Sequence, residues 1–207
     1  MSEGLDSAYS IATPADCLRV YRAWAESYDG GFAAGMDYLL PAHVARAFLA
    51  AGGAGPVLDI GAGTGLLAER LRGAGFSAPI DGVDLSPEML ERARVKGIYR
   101  SLVQADVMQP LPLAGGYGGI VSSGTFTHGH VGPSALPHVL AQARRGAQVA
   151  LSINAGVFAA MGFDAALAAL PITGLQLIEV EIYGQGAALM DPAHASDRAL
   201  IALFRKG

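Results

Sequence analysis

Three closely spaced glycines follow a short apolar segment and precede a helical pattern. They are Gly61, Gly63 and Gly65, spaced G-x-G-x-G directly after residues 56–60. Glycine allows a ligand to approach the backbone closely, and the free N–H groups at the start of a helix attract anionic groups. The pattern predicts a turn at the carboxyl end of a strand, which is where open α/β sheets bind ligands.

The spacing of this turn narrows the class of ligand. Dinucleotide-binding turns use G-x-G-x-x-G, and a P-loop needs a lysine at the end of its glycine-rich turn, which neither Lys96 nor Lys206 supplies. On its own, a G-x-G-x-G turn is more typical of an ordinary strand–helix connection. Further polar residues are needed to favour a binding site.

Two carboxylates supply that evidence. Asp84 ends the second predicted strand, where a carboxylate can accept both hydroxyls of a ribose, and Asp106 ends the third, in register with an adenine amino group. Taken alone, Asp84 is also a candidate cap for a helix opening at Ser86-Pro87, and Asp106 a loop carboxylate. Together with the glycine turn they predict a nucleoside pocket with a third arm shaped for an amino acid.

The elements that must position these residues alternate between strands and helices. Strands are predicted over residues 56–60, 79–84, 99–104, 118–122, 148–153, 175–183 and 198–205. Helices are predicted from Thr13 until Gly30-Gly31 stops the first one, over 41–51 and 64–72, from Ser86-Pro87, and over 133–144 and 158–170. This alternation predicts right-handed crossovers and a doubly wound, seven-stranded, mostly parallel α/β sheet. Residues 1–207 are expected to form one domain, with 1–40 as a helical cap and 41–207 as the α/β core.

Composition excludes several classes of function. Apolar residues make up 52% of the chain and charged residues 15%, which excludes disorder as its main state. A net charge of -4 with only two lysines argues against a nucleic-acid partner. The single cysteine, Cys17, excludes a disulfide framework, and the apolar stretch 155–172 is too interrupted for a membrane span. Because Met1 opens no signal-peptide pattern, we expect a cytoplasmic protein with a small-molecule partner and no membrane partner; the oligomeric state stays open.

The glycine turn, Asp84 and Asp106 together resemble the cofactor site of class I S-adenosylmethionine-dependent methyltransferases, and the resemblance covers nearly the full chain. Three more stretches make the chain similar to the small methyltransferase-like proteins of the Williams–Beuren-region type: residues 21–29, 124–133 and 178–184. The resemblance implies a Rossmann-like methyltransferase fold with S-adenosyl-L-methionine as cofactor and S-adenosyl-L-homocysteine as product. It also implies in-line transfer of a methyl group to a small-molecule acceptor.

The same resemblance implies a role for each pocket residue. Asp59 would orient the ammonium group of the cofactor, and Gly61 and Gly63 would admit its methionine arm. Gly65 would allow close helix packing, and Asp84 would hold the ribose. The other expected cofactor contacts are Tyr28, Leu85, Met89, Asp106, Val107 and Ser123.

The chain departs from the family pattern at two places outside the pocket. Gly118 stands where a Tyr-Asp or Phe-Asp pair usually begins the fourth strand. The tripeptide Arg145-Gly146-Ala147 replaces the usual Pro-Gly-Gly before the fifth. Neither change alters a residue expected to contact the cofactor.

The loop expected at residues 122–132 would face the transferred methyl group. It holds His128 and His130, the candidates for a general base, of which His128 is preferred. A base is needed only if the nucleophile arrives protonated with a high pKa. Alternatively, both histidines hydrogen-bond to the backbone and shape the loop. No metal site is expected, because no nearby Asp, Glu or Cys completes a ligand set.

Two other classes of function compete with methyl transfer. A protein that binds the cofactor without turnover would act as a regulator or interaction module, and it would show no methyl transfer. A nicotinamide-dependent oxidoreductase is disfavoured by the glycine spacing and by the lack of a Tyr-x-x-x-Lys pair.

Overall fold

Short apolar runs, separated by helices, build one seven-stranded sheet. The computed structural model describes residue 19, residues 28–129 and residues 131–207. The strands follow the order β3-β2-β1-β4-β5-β7-β6 across the sheet. They are β1 (Val57–Ile60), β2 (Ile80–Asp84), β3 (Ser101–Gln104), β4 (Tyr117–Phe126), β5 (Ala143–Asn154), β6 (Ile172–Glu181) and β7 (Arg198–Lys206).

Strand direction is parallel through most of the sheet. The pairs from β3 to β5 are parallel, while β7 is antiparallel to both β5 and β6. The carboxyl ends of β1, β2, β3, β4 and β5 therefore meet at one edge, where the order reverses between β1 and β4. The predicted doubly wound, mostly parallel sheet is confirmed.

Helices cover both faces of the sheet. They are α1 (Leu40–Ala50), α2 (Leu66–Gly73), α3 (Pro87–Val95), α4 (Leu136–Gln142), α5 (Ala155–Phe158), α6 (Phe163–Ala169) and α7 (Ala187–Met190), with a π-helical turn at Tyr28–Ala33 and a 3-10 turn at Pro133–Ala135. The start of α3 follows its sequence signal, because the Ser86 hydroxyl accepts a hydrogen bond from the Met89 N–H at 3.2 Å.

The core lies on both faces of the central strands, because successive side chains of a strand point to opposite faces. Leu58 and Ile60 belong to the cluster under α4 and α6, whereas Val57 belongs to the cluster under α1 and α2. Burying a Leu, Ile or Phe side chain contributes about 1.5–3 kcal/mol, so both clusters anchor β1 firmly. The alternation places Asp59 on the face shared with Val57.

The glycine pair Gly30-Gly31 does not end a helix. Both residues lie inside the π-helical turn 28–33. Glycine costs only about 1 kcal/mol against alanine in a helix, and the Tyr28 and Phe32 rings pack across this turn with centroids 5.2 Å apart. Apart from Arg19, which is helical, the rest of the predicted N-terminal helix lies outside the described residues, and with it most of the predicted cap.

Several predicted boundaries differ from the structure, among them the strand predicted over 175–183, which spans Ile172–Glu181. β4 continues past residue 122 to Phe126, with an irregular register against β5 from Ser122 onward. The predicted helix 133–144 ends at Gln142, because Ala143 already pairs with Tyr117 as the start of β5. The predicted helix 158–170 is two helices, separated at Gly162, whose φ of 77° is left-handed.

Candidate functional site

The glycine turn lies between β1 and α2, as predicted. All three glycines have left-handed φ values, 65° at Gly61, 53° at Gly63 and 94° at Gly65. A Cβ on Gly61 would lie 2.0 Å from the Thr125 Oγ1, and one on Gly65 would lie 3.1 Å from the Tyr99 ring. A Cβ on Gly63 would meet no other described residue within 4 Å. The turn is therefore packed at both ends and open at its middle, where a ligand could approach.

Asp84 is fixed against the glycine turn through both carboxylate oxygens. Oδ2 accepts the Gly63 N–H at 2.8 Å, and Oδ1 accepts the Ser86 N–H at 2.9 Å. Burial raises the pKa of Asp84, and the backbone N–H groups oppose that rise by stabilising the anion. Each carboxylate oxygen has two lone pairs, so both could still accept a ligand hydroxyl.

Asp59 is a buried carboxylate with one unsatisfied oxygen. The residue is 1% exposed; Oδ2 accepts the Tyr99 hydroxyl at 2.7 Å, and Oδ1 has no hydrogen-bond partner within the described part of the chain. Burial raises its pKa to about 7; the Tyr99 hydrogen bond opposes the rise and the charge of Asp84 adds to it. A buried acceptor beside a second carboxylate suits a cationic group, so this site fits the ammonium of the expected cofactor.

Asp106 and Val107 follow the end of β3, and Leu85 follows the end of β2. The two strand ends are joined by a hydrogen bond from the Ala105 N–H to the Asp84 carbonyl at 3.0 Å. The Asp106 Oδ1 accepts the Met108 N–H at 2.9 Å, so its carboxylate also closes the turn after β3. Of the apolar residues expected beside an adenine, Met89 and Val107 are buried and Leu85 is half-buried.

The segment before α1 reaches the glycine turn through Asp29. Its Oδ1 accepts the Thr64 hydroxyl at 2.5 Å, and its Oδ2 lies 2.6 Å from the Lys96 ammonium. The neighbouring Tyr28 has a pKa raised by burial and by the charges of Asp29 and Asp84. The negative charge of Asp84 thus acts on the Tyr28 hydroxyl, and the expected contact of Tyr28 with the cofactor stays a prediction.

Four aromatic rings form a cluster beside the carboxyl end of β4: Tyr28, Phe32, Tyr38 and Tyr183. Ring centroids within this aromatic cluster are 5.2–6.1 Å apart. The Tyr38 hydroxyl lies against β4, 2.4 Å from where a Cβ on Gly124 would stand. The stretches 124–133 and 178–184 and the end of 21–29 thus meet at one place, although they are far apart in sequence.

His128 lies at the carboxyl end of β5. A Cβ on Gly156 would lie 3.5 Å from its Cε1 and 3.1 Å from the Asn154 Oδ1, which itself accepts the Gly156 N–H. Ser123 is half-buried in the irregular part of β4, and His130 lies outside the described residues. The geometry places His128 next to the edge of the sheet that carries Asp59 and Asp84.

Two kinds of feature are absent from the part of the chain that the structure describes. No group of three His, Cys, Asp or Glu residues there could hold a metal ion. No described helix is long and apolar enough to cross a membrane.

Sequence reasoning missed several residues of this site. They are Thr64, Tyr99 and Thr125. Their hydroxyls donate to the Asp29 carboxylate, the Asp59 carboxylate and the Ile60 carbonyl, respectively. Thr64 lies within the glycine motif, and that position was the available signal. Tyr99 stands 40 residues from Asp59, and no local pattern links the two.

Comparison with known proteins finds similarity to methyltransferases in sequence and in fold. Residues 57–148 match the model of a methyltransferase domain family. The human protein Methyltransferase-like protein 27 is 35% identical over 140 residues, which cover 64% of this chain. The match spans 56% of that relative, so the chain corresponds to little more than half of the relative's length.

Solved structures share the fold at low sequence identity. The N-methyltransferase NodS from Bradyrhizobium japonicum, in complex with S-adenosyl-L-homocysteine, has a TM-score of 0.66 at 17% identity and covers 91% of this chain and 97% of its own. A TehB-like methyltransferase from Corynebacterium glutamicum has a TM-score of 0.61 at 21% identity, covering 91% and 99%. These similarities show the fold that the sheet order already indicates.

Proposed function

We propose that the chain is a class I methyltransferase that transfers the methyl group of S-adenosyl-L-methionine to a small-molecule acceptor; the match of residues 57–148 to a methyltransferase domain family supports this. The observation that carries the proposal is the acidic pair Asp59 and Asp84, held on either side of an open glycine turn. Both residues lie at the carboxyl ends of neighbouring strands, Asp59 in β1 and Asp84 in β2, and this is where α/β sheets bind ligands. The product would be S-adenosyl-L-homocysteine.

The chain's own residues would bind the two ends of the cofactor. Asp84 accepts ribose hydroxyls with the lone pairs left by its backbone bonds, and the Asp59 Oδ1 accepts the ammonium group. Gly63 leaves room for the methionine arm. The remaining contacts proposed for the adenine and the rim of the pocket are Tyr28, Leu85, Met89, Asp106, Val107 and Ser123.

The bound cofactor supplies an activated methyl group, so the protein's task is to align a nucleophile and exclude water. We assign the exclusion of water to the cap at residues 1–40, supported by the contact of Asp29 with Thr64 and Lys96. We assign one wall of the acceptor pocket to the aromatic cluster. His128 accepts a proton where the acceptor arrives protonated, and we propose the same role for His130 as its alternative.

The narrower family is part of the proposal. The 35% identity to human Methyltransferase-like protein 27 supports a relationship to the small methyltransferase-like proteins of the Williams–Beuren-region type. The meeting of the stretches 124–133 and 178–184 at the aromatic cluster supports it as well. No acceptor follows from that relationship.

A labelled transfer experiment tests the proposed function. The protein and its Asp84→Ala variant are each incubated with cofactor carrying a deuterated methyl group and with cell extract separated into small-molecule, protein and nucleic-acid fractions. We expect label in the small-molecule fraction with the wild type alone. Label in a macromolecular fraction would contradict the substrate class, and cofactor binding with no label in any fraction would favour a non-catalytic binding protein.

A further inference from the structure

Tyr99 reaches the candidate site through a slot that glycines leave open. It stands between α3 and β3, and its ring lies against both α2 and β2. A Cβ on Gly65 would lie 3.1 Å from its Cε2, and a Cβ on Gly82 would lie 3.0 Å from its Cε1. Any larger residue at either position would push the ring away, so these two glycines fix the path of the side chain.

The path ends at Asp59. Gly82 is the register partner of Asp59 on the neighbouring strand, and the Tyr99 hydroxyl passes over it to donate to the Asp59 Oδ2 at 2.7 Å. The hydrogen bond leaves Oδ1 as the unsatisfied acceptor of the carboxylate. Tyr99 thereby sets which oxygen of Asp59 is available to a ligand.

The charged and titratable groups around this contact come from β2, from α2, from the end of α3 and from the turn at residues 28–33. Asp84 of β2 raises the pKa of Asp59 by its charge. Glu69 of α2 lies near Tyr99 and is paired with Lys96, whose ammonium is shared with Asp29. The Tyr99 hydroxyl is thus the group that favours the ionised form of Asp59, against burial and a neighbouring negative charge.

We propose that Tyr99 is the positioning residue of Asp59: its hydroxyl holds the carboxylate turned so that Oδ1 accepts a hydrogen bond from the ammonium group of the bound cofactor. This inference rests on the proposed function, because it assigns a partner to a residue of that same site. It adds a residue from outside the glycine turn that acts on one arm of the ligand only.

The affinity lost in a Tyr99→Phe variant should depend on the ligand and on pH. Removing the hydroxyl raises the pKa of Asp59 further, so more of it is protonated and neutral at a given pH. A hydrogen bond to a charged group corresponds to about one pKa unit. At pH values below the pKa of Asp59, affinity for an ammonium-bearing ligand should therefore fall about tenfold. A ligand without the amino-acid arm should bind unchanged.

The chain offers a matched control in Tyr117. Its hydroxyl donates to the Asp81 Oδ2 at 2.8 Å, at the amino end of β4 and away from the glycine turn. Asp81 also pairs with Arg100, so its charge is already balanced. Tyr117→Phe removes the same kind of bond without changing a residue of the site.

The test is calorimetric titration of wild type, Tyr99→Phe and Tyr117→Phe. The ligands are S-adenosyl-L-homocysteine and 5′-methylthioadenosine, which keeps the nucleoside and lacks the amino-acid arm. Titrations run from about pH 5.5 to about pH 7.5, where an α-amino group is largely protonated. Tyr99→Phe should bind the first ligand about tenfold more weakly at the acidic end and the second ligand as wild type does. Tyr117→Phe should match wild type with both.

Each other outcome has one meaning. Equal loss of both ligands in Tyr99→Phe assigns Tyr99 a structural role and overturns the inference, as does equal affinity for S-adenosyl-L-homocysteine in wild type and variant. Failure of wild type to bind either ligand overturns the proposed function instead. In an Asp59→Asn background, Tyr99→Phe should cause no further loss, since no carboxylate remains to be held.

Discussion

The buried carboxylate of Asp59 lowers the stability of the ligand-free protein and at the same time suits a cationic ligand. Its carboxylate is 1% exposed, and burial raises its pKa to about 7 from an ordinary value of 3.8. The folded state therefore holds a proton more tightly than the unfolded state between those two pH values. Stability falls as pH rises from about 4 to about 7, because the native protein must then release that proton. A cationic ligand would relieve the cost.

Asp59→Asn should stabilise the ligand-free protein above pH 7 and weaken cofactor binding. The neutral amide keeps the shape of the side chain and needs no proton. A shift from 3.8 to about 7 corresponds to about 4 kcal/mol, which sets the upper limit of the gain at pH 8. The check is urea unfolding of both proteins at pH 5 and pH 8. An equal difference at both pH values would show that Asp59 has an ordinary pKa.

His128→Ala should lower turnover more than cofactor affinity. The ring lies beside Asn154 and Gly156 at the carboxyl end of β5, and the cofactor contacts proposed above do not include it. A positioned base contributes about 10²–10⁴-fold to rate, which sets the scale of the expected loss. His138→Ala on α4 is the control. Equal losses of rate and affinity in His128→Ala would assign the histidine a structural role.

At this scale the sequence predicts residues that sit in local patterns. Asp84 and the three glycines lie where strand ends and turn spacing indicate. Tyr99 could not be predicted, because its contact with Asp59 depends on side-chain space at Gly65 and Gly82. That space exists only once β1 and β2 are paired.

Among the elements, the turn at residues 28–33 is held to the glycine turn by charge. Asp29 contacts Thr64 and Lys96, and the same lysine also pairs with Glu69 of α2. Lys96 is one of only two lysines in the chain. Its ammonium connects the segment before α1 with the helix that begins at the turn.

Asp29→Asn should loosen the segment before α1 and weaken cofactor binding modestly. Asp29 is partly exposed, so solvent screening limits the effect to about 0.2–1 kcal/mol, and added salt should reduce the difference. Hydrogen exchange of residues 28–38 and the cofactor dissociation rate are the measurements. Glu69→Gln removes the other partner of Lys96 and should leave exchange in that segment unchanged. Faster exchange in the control alone would contradict this role of Asp29.

Gly124→Ala should damage β4 more than its backbone conformation alone explains. Gly124 and Gly146 share a φ of 77°, but a Cβ on Gly124 would lie 2.4 Å from the Tyr38 hydroxyl, whereas Gly146 has open space. Left-handed φ costs an alanine about 1–2 kcal/mol in both variants, and the clash adds about 1–3 kcal/mol at Gly124. Thermal unfolding measures the difference. Equal losses would mean that Tyr38 moves aside freely.

The type of each element could be predicted from sequence more securely than its ends. The seven strands appear in the predicted order, because each apolar run has the length and flanking turns of a strand. β4 and β5 are longer than predicted, since Phe126 pairs with Ile153 at the carboxyl end of β4 and Ala143 pairs with Tyr117 at the start of β5. The break at Gly162 was missed because alanine-rich flanks continue the helical pattern on both sides.

For the whole molecule, the sheet order brings the site together. Placing β1 beside both β2 and β4 puts Asp59, Asp84 and the bulged end of β4 at one edge. Because β7 is antiparallel to both β5 and β6, β6 ends at the same edge as β5, and Tyr183 after β6 packs against Tyr38 before α1. Sequence alternation predicts the parallel core, but the reversal at β7 depends on long-range packing that no local signal contains.

Calorimetric titration of S-adenosyl-L-homocysteine into wild type and Asp84→Ala tests the central claim most directly. Both proteins are first shown to unfold cooperatively at comparable temperatures. We expect saturable one-site binding to wild type. Affinity should fall at least about tenfold in the variant, since each hydrogen bond from ribose to a charged acceptor contributes about 1.5–3 kcal/mol. A wild type that binds neither this ligand nor S-adenosyl-L-methionine, or an Asp84→Ala variant that binds undiminished, would contradict the account.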